Sequence, residues 1–351
     1  MDSFLRTVKQ KCSKLRVLQV VRYWFQESDY EVDAALGQCL ISLVDITVLS
    51  ISVTCRGVGR ALLLLESHLQ RLVHLTLFLV DGNQPPGVNF PPNPVSLPNL
   101  TSLSFFTPFP HIVLTPFVPP PKLEALHIRS QGPMDEEVWA ATSDAIADFA
   151  KELTSVREVL VSDYHPFHAD ENDFAPEVSK IGLGPLLNLR LLNNVCIATT
   201  IYISPTPALL QSVLDAWKDQ LELFILSPIA YLLDDPVPPV TLQDVIKFAV
   251  KCPKMVRVGM LFNAKRPTLT STAEGEADED EFYDVPTAPH VRELMAGAAW
   301  IDDIDYVVRL LKHGFPCLRR IDWADSDTYL AMPEDRAKNW ELVEERMGLG
   351  P

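Results

Sequence analysis

The sequence predicts an α/β solenoid with short parallel strands on a concave face and helices and loops on the convex face. A pattern of three apolar residues, apolar-x-x-apolar-x-apolar, recurs eleven times at a mean spacing of about thirty residues. Several segments between these repeats have the apolar periodicity of amphipathic helices. One strand, one connection and often one helix therefore form a period, and successive periods stack side by side.

The repeats follow one another along almost the whole chain. In each, the last two apolar residues alternate as in a strand, while the first lies where the chain turns into the strand. The seventh repeat, built on Leu189 and Leu192 alone, is the least regular. Neighbouring starts lie 23 to 36 residues apart, at Leu15, Ile46, Leu72, Leu100, Leu123, Val156, Leu189, Leu221, Met255, Val291 and Leu318.

Four connections have helical patterning. The first, 134–153, would bury a face formed by Val138, Ala141, Ala145, Ile146, Phe149 and Leu153. A helix at 206–217 has Thr206 as its cap and Pro207 in its first turn. Further helices are predicted at 241–250 and 301–312, the latter stopped by Gly314. The proline-rich connection 80–98 is predicted to be extended.

The predicted organisation is one repeat domain, 1–330, followed by a C-terminal helical cap or tail, 331–351. The domain includes proline-rich connections at 81–121 and an acidic flexible insertion at 272–285. Seven of the eleven residues at 274–284 are acidic, which is typical of a solvated surface segment. An alternative is that this segment contacts a basic partner through Phe282 and Tyr283.

The repeats resemble leucine-rich repeats, and phrases such as SLPNLTSLSFF, PPPKLEALHIRS and FPCLRRIDW resemble fungal F-box/leucine-rich-repeat proteins. The resemblance covers nearly all of 1–330 but concerns only the repeat region. This resemblance implies that the chain is a substrate receptor of a ubiquitin ligase and binds ligase components. The usual asparagine ladder is missing, because its positions in the first six repeats hold Tyr23, Thr54, Val80, Pro108, Gln131 and Tyr164.

No F-box is recognisable, since only about fourteen residues precede the first repeat. The role of the F-box in docking a ligase adaptor is therefore carried over to no residue of this chain.

Charge and cysteine content restrict the function classes. Thirty basic and 46 acidic residues give a formal charge of −16, which disfavours nucleic acid and anionic membrane as partners. Six cysteines without a CxxC pair, together with the absence of a signal-like apolar stretch, indicate a reducing compartment, the cytoplasm or nucleus. Cys196, Cys252 and Cys317 adjoin apolar strands and are predicted to be core residues.

The sequence contains no convincing catalytic motif. Gly57 and Gly59 lack the remaining residues of a nucleotide-binding loop. His165 and His168, with Asp163 and Asp170, could supply metal ligands, but Pro166 separates the two histidines. A metal-assisted hydrolase is therefore the least favoured alternative, and we expect a non-enzymatic chain without a cofactor.

We expect a protein partner to bind on the concave face, where the side chains between core positions point outward. Phe78 and Phe106 would place two aromatic rings there, as in interface hot spots. The alternative is that proline-rich loops cover these rings. Ubiquitin-independent scaffolding and an inert truncated relative also remain alternatives. The candidate binding residues are His74, Phe78, Phe106, His127, Arg129, Glu158, Arg257, Arg320 and Asp322.

Overall fold

The computed structural model describes residues 7, 14–20, 39–54, 57–80, 90–151, 153–163, 179, 181–226, 238–266, 284–297, 299–323 and 334–349. The chain divides into two compact units. We call Met1–Pro133 with Glu137–His165 the N-terminal unit, and Met134–Glu136 with Pro166–Pro351 the C-terminal unit. The single repeat domain over 1–330 stays a prediction.

In the part of the N-terminal unit that the structure describes, six strands pair in chain order, each parallel to the next. Equivalent repeat positions face each other, so that Leu75, Leu103 and Leu126 form one continuous buried row. The strands are β1 (Val17–Val20), β2 (Val48–Thr54), β3 (His74–Val80), β4 (Ser102–Thr107), β5 (Ala125–Ser130) and β6 (Glu158–Asp163).

The described residues of the C-terminal unit repeat this arrangement with five parallel strands in chain order. Phe224, Val258 and Leu294 are aligned across three of them and are fully buried. The strands are β7 (Asn194–Ala198), β8 (Leu223–Leu226), β9 (Arg257–Met260), β10 (Glu293–Met295) and β11 (Arg320–Asp322).

Ten of the eleven strands begin at the third residue of the predicted repeat, but the seventh repeat was misplaced by three residues. Its true start is Leu192, followed by the buried Val195 and Ile197 of β7. Leu189 lies three residues before this start and is also a buried leucine, so the sequence analysis took it for the first residue of the repeat.

A shared hydrogen-bond pattern fixes the beginning of the strands. The carbonyl of the second repeat residue accepts two bonds, from the N–H groups of the second and third residues of the next repeat, at 2.7–3.2 Å. The chain turns at this point, so the first apolar residue falls outside the strand alternation. The acceptors are Arg16, Thr47, Val73, Thr101, Glu124, Asn193, Glu222, Val256 and Arg292.

Among the described residues, a fourth core residue precedes eight of the repeats by three positions; the sequence analysis did not identify this pattern, although it predicted Cys252 as a core residue. The carbonyl of the fourth residue accepts a hydrogen bond from the N–H of the first repeat residue, which closes a turn before the strand. Each of these residues is buried, so the turn is anchored in the core. They are Leu43, Leu69, Leu97, Pro120, Leu189, Cys252, Ala288 and Phe315.

Six α-helices and a 3₁₀ helix, Gly184–Asn188, lie wholly within the described residues. Thr206 caps the helix Pro207–Trp217 as predicted, and Thr241 caps the helix Leu242–Val250 and forms a capping box with Asp244. Asp303 caps the helix Ile304–Gly314, which begins three residues later than predicted and includes Gly314. The helices are α1 (Val58–His68), α2 (Glu136–Ala150), α3 (Pro207–Trp217), α4 (Leu242–Val250), α5 (Ile304–Gly314) and α6 (Glu334–Met347).

The predicted buried face of α2 was partly wrong. Ile146 and Phe149 are buried, but Ala141 is exposed, and Val138 and Ala145 are only half-buried. Trp139 is fully buried instead, because the largest apolar side chain gains the most from leaving water. The rotated face also buries Thr142 and Ser143, whose hydroxyls donate to helix carbonyls one turn earlier.

Helix α6, which lies within the predicted cap or tail, 331–351, packs onto the rest of the C-terminal unit. Trp340 is fully buried, donates from Nε1 to the Ala299 carbonyl at 3.1 Å and meets Phe262 edge-on. Trp323 donates to Glu344 at 2.7 Å. No helix in the described ranges has the length and apolar character needed to cross a bilayer.

Candidate functional site

The N-terminal unit presents side chains between its core positions on one sheet surface, which we call the N-terminal face. Strands β3, β4 and β5 contribute aromatic, hydroxyl and imidazole groups to this surface, and β6 contributes a carboxylate. These groups are half-buried, except for the exposed His74 and Arg129. The N-terminal face comprises His74, Thr76, Phe78, Ser102, Ser104, Phe106, His127, Arg129 and Glu158.

Phe78 and Phe106 lie opposite each other on β3 and β4. Their ring centroids are 5.8 Å apart and the rings are tilted by 54°. The Arg129 guanidinium lies 5.6 Å from the Phe106 centroid, within cation–π range. Both rings are half-buried, so part of each ring is exposed to solvent. Three adjacent strands thus form an aromatic surface bordered by a cation.

A second row on the same face is connected by hydrogen bonds. Ser104 Oγ and His127 Nδ1 are 3.3 Å apart, and His127 Nε2 lies 2.6 Å from Glu158 Oε1. The imidazole is therefore held from both sides by neighbouring strands. This line of serine, histidine and carboxylate lies along a sheet whose backbone N–H groups pair with adjacent strands, so those groups cannot form an oxyanion hole.

The C-terminal unit has a different surface on β9, β10 and β11, which we call the C-terminal face. Arg257 pairs with Glu293 at 3.4 Å and with Asp322 at 3.0 Å, and Arg320 pairs with Asp322 at 2.6 Å. The Asp322 side chain is only 15% exposed. Charges of opposite sign therefore neutralise one another across three strands.

Gly259 makes room within the C-terminal face. A Cβ atom on this residue would lie 2.6 Å from the Met295 Cβ, closer than real contacts allow. Met295 occupies that space, and its sulfur receives the Arg257 guanidinium at 3.3 Å. The missing side chain in β9 thus lets Met295 pack where it supports Arg257.

The structure groups the nine predicted binding residues by unit. His74, Phe78, Phe106, His127, Arg129 and Glu158 lie on the N-terminal face, while Arg257, Arg320 and Asp322 lie on the C-terminal face. Their binding of a partner stays a prediction. The sequence analysis missed that Ser104 binds His127 and that Glu293 joins the ion pairs. One signal was present, because Arg257, Glu293 and Arg320 alternate in charge at one repeat position.

The other chemical candidates have little support among the described residues. In that part of the chain, no group of three histidine, cysteine, aspartate or glutamate side chains is placed to hold a metal ion. Of the predicted metal-like cluster, Asp163 ends β6, whereas His165, His168 and Asp170 lie outside the described ranges. The acidic insertion 272–285 also lies outside them, except for its last two residues.

The three cysteines predicted as core residues differ in environment. Cys252 is fully buried, and burial together with the nearby Asp219 charge raises the pKa of its thiol to about 12. Cys196 is half-buried. Cys317 is exposed, so its prediction as a core residue was wrong. It lies in the turn before β11, where the buried positions are Phe315 and Leu318.

Comparisons with known proteins give likenesses only among solved structures. No protein-family model matches the chain, and no curated protein matches its sequence. Among solved structures, the chain is similar to one described as the crystal structure of the Rad7 and Elc1 complex in yeast. The identity is 12%, the alignment covers 87% of this chain and 92% of that chain, and the TM-score is 0.26. At that score the likeness supports no argument about fold or function.

Proposed function

We propose that the chain is a non-enzymatic protein-interaction module of irregular leucine-rich-repeat type that binds a protein partner on its N-terminal face. The observation that supports this most is the half-buried pair Phe78 and Phe106, with Arg129 beside it. Aromatic residues and arginine are enriched at the energetic centres of protein interfaces. Rings held by adjacent strands also lose little conformational freedom on binding.

The repeat type is supported by the buried rows and by the order of strands. Each unit adds parallel strands in sequence, and equivalent apolar positions meet across them. The residues at the asparagine-ladder positions differ from those of a regular leucine-rich repeat. Gln131 replaces it in the fifth repeat and donates from Nε2 to the Leu79 carbonyl across two repeats. A side-chain amide thus satisfies a carbonyl where the chain leaves the strand.

The resemblance to fungal F-box proteins suggests a finer role, the substrate-recognition part of a ubiquitin ligase. A scaffold that works independently of ubiquitin is the alternative. Co-purifying proteins distinguish these two roles, because a ligase receptor would co-purify with ligase adaptor subunits and a scaffold would not.

The proposal is tested by affinity purification of the full chain from its native cells, with quantitative mass spectrometry. The double variant Phe78→Ala with Phe106→Ala should lose the specific partner while its melting temperature falls little. Leu63→Ala is the matched control, because Leu63 is 47% exposed on α1 and lies away from the face. Partners retained equally by all three proteins would refute binding at the N-terminal face.

A further inference from the structure

We propose that the C-terminal unit has a binding surface of its own, formed by Lys254, Arg292 and Arg319, which takes an acidic peptide segment of a partner protein. We call these three residues the basic rim, because they lie where β9, β10 and β11 begin rather than on the C-terminal face. The inference goes beyond the proposed function, since it concerns the other unit and a different kind of contact.

The backbone places Arg292 and Arg319 side by side at the beginnings of adjacent strands. The Arg292 carbonyl accepts hydrogen bonds from the N–H groups of Arg319 and Arg320, at 2.8 and 3.2 Å. Val256 occupies the same position one repeat earlier, and its carbonyl accepts from the N–H of Arg292 at 2.9 Å. Lys254 lies two residues before Val256. Since neighbouring strands are about 4.8 Å apart, the three cations originate from one short stretch of the unit.

The side chains of the basic rim are exposed and have no acidic partner among the described residues. In that part of the chain, no carboxylate forms an ion pair with any of the three. The two arginines of the neighbouring C-terminal face differ in this respect, because Arg257 and Arg320 bind Glu293 and Asp322. The rim cations are therefore accessible to an anion from outside the chain.

The equivalent position in the N-terminal unit combines charges of opposite sign. Arg157 is exposed at the second residue of the sixth repeat, and its N–H donates to the Glu124 carbonyl at 2.9 Å. An acid and a base therefore begin adjacent strands there, whereas two bases, Arg292 and Arg319, do so in the C-terminal unit. Like charges on neighbouring strands repel, and an anion bound between them would remove that cost.

The position just before each repeat shows the same contrast. In the N-terminal unit, Asp45 and Arg71 occupy it in successive repeats and form an ion pair at 2.7 Å. Side chains at this position can thus reach across one repeat. In the C-terminal unit, Lys254 is followed at this position by His290 and Cys317, so the same row offers it no carboxylate.

The sequence around the basic rim lacks acidic residues although the chain is rich in them. The segments 251–256, 285–292 and 312–319, which lead into β9, β10 and β11, contain lysine or arginine but no aspartate or glutamate. The whole chain has 46 acidic residues and a formal charge of −16. Exposed charges are screened over about 8 Å at physiological ionic strength, so a ligand at the rim responds mainly to the nearby cations.

An acidic peptide fits the basic rim better than a nucleic acid does. A guanidinium presents a planar fork of N–H donors that matches a carboxylate, and a lysine adds a point charge. Two or three carboxylates of a peptide would satisfy the three cations. Nucleic-acid binding usually relies on more phosphate contacts, about 6–10, and the net negative charge of the chain opposes a long phosphate backbone.

The test measures the binding of fluorescein-labelled twelve-residue peptides to the full chain by fluorescence polarisation. The acidic probe alternates glutamate and serine, and the neutral probe has glutamine in place of glutamate. We expect only the acidic probe to bind, and we expect the double variant Arg292→Glu with Arg319→Glu to weaken its binding about tenfold or more. Equal binding by this variant and the unmodified chain would overturn the proposal, as would a lack of binding to the unmodified chain.

The matched control reverses two exposed arginines of the N-terminal unit, Arg60→Glu with Arg157→Glu, and changes the net charge by the same amount. It should leave the affinity for the acidic probe unchanged. All four replaced residues are exposed, so both double variants should keep the melting temperature of the unmodified chain. An equal loss of affinity in the control would mean that net charge governs binding, and the basic rim would be refuted as the site.

Two further measurements distinguish other occupants. A labelled single strand of twelve nucleotides should bind more weakly than the acidic probe; tighter binding that depends on Arg292 and Arg319 would overturn a peptide as the ligand. A variant without 272–283 should bind the acidic probe as the unmodified chain does. Binding only after this deletion would make the chain's own acidic insertion the occupant and would overturn a partner protein. The purification experiment decides the proposed function of the N-terminal face separately.

Discussion

The two sheet faces use their side chains in different ways. On the N-terminal face, Phe78 and Phe106 pack ring against ring and remain partly exposed. On the C-terminal face, Arg257 and Arg320 bind the carboxylates of Glu293 and Asp322. The same strand geometry therefore supports an apolar surface in one unit and a neutralised ionic surface in the other.

This difference indicates which of the two faces is better suited to binding a protein partner. Covering paired charges removes them from water, and the loss of hydration offsets much of the Coulombic attraction. Covering partly exposed rings is favourable, because apolar surface leaves water. We therefore expect the C-terminal face to contribute to stability and the N-terminal face to contribute to binding.

The largest expected effect compares two adjacent phenylalanines of β4. Phe105 is 3% exposed in the core, whereas Phe106 lies on the N-terminal face. Phe105→Ala should lower the free energy of unfolding by about 3–5 kcal/mol. Phe106→Ala should lower it by less, about 1–2 kcal/mol, since part of the ring is already in contact with water. Urea unfolding of both variants measures this; equal losses would contradict the assigned register.

A smaller loss of stability is expected from the ion pairs of the C-terminal face. Asp322→Ala should lower the free energy of unfolding by about 1–2 kcal/mol, less than for a fully buried pair, because Arg257 remains 30% exposed. The control is Asp45→Ala, whose partner Arg71 is 73% exposed, and it should change stability by less than about 0.5 kcal/mol. Thermal and urea unfolding provide the measurement. If the two variants behave alike, the network does not stabilise the fold.

A comparable or smaller loss is expected at Gly259. An added methyl group would collide with the Met295 Cβ, so Gly259→Ala should lower the free energy of unfolding by about 1–2 kcal/mol. Gly132→Ala is the control, because nothing lies within 4 Å of its added Cβ. Met295→Ala should recover part of the stability of Gly259→Ala. Without that recovery, the collision with Met295 is not the cause.

The smallest effect concerns thiol reactivity in the C-terminal unit. Because burial raises the Cys252 pKa to about 12, alkylation by iodoacetamide at pH 8 should modify the exposed Cys317 and spare Cys252. Both should react in urea, as peptide mass spectrometry would show. The raised pKa also predicts a loss of stability as the pH rises from 9 towards 12, since only the unfolded thiol ionises early in that range. Rapid labelling of Cys252 at pH 8 would contradict its place in the core.

Most of the strand positions could be predicted because each repeat contains its own pattern of apolar residues. The seventh repeat could not, since Leu189 lies three residues before Leu192 and reproduces the spacing between the first two apolar positions. The buried face of α2 depended on how Trp139 packs, which its own periodicity does not specify. The local pattern of apolar residues therefore predicts where strands and helices lie in the sequence better than it predicts which face of a helix is buried.

The composition of the faces could be predicted, but their contacts could not. Alternation placed His127 and Asp322 between core positions. The bonds from His127 to Ser104 and Glu158 require three strands to be neighbours in a particular register. The ion pairs at Asp322 likewise depend on β9, β10 and β11 meeting. Such contacts arise only once distant segments are aligned.

The backbone carbonyl that accepts two hydrogen bonds at the second residue of nine described repeats has an evolutionary consequence. It aligns the beginning of one strand with the beginning of the next. Insertions and deletions elsewhere in a period need not disturb this alignment, in keeping with starts that differ by 23 to 36 residues. The constraint falls instead on the second and third residues, whose N–H groups are required. None of them is proline in any of the eleven repeats, although the chain contains 29 prolines.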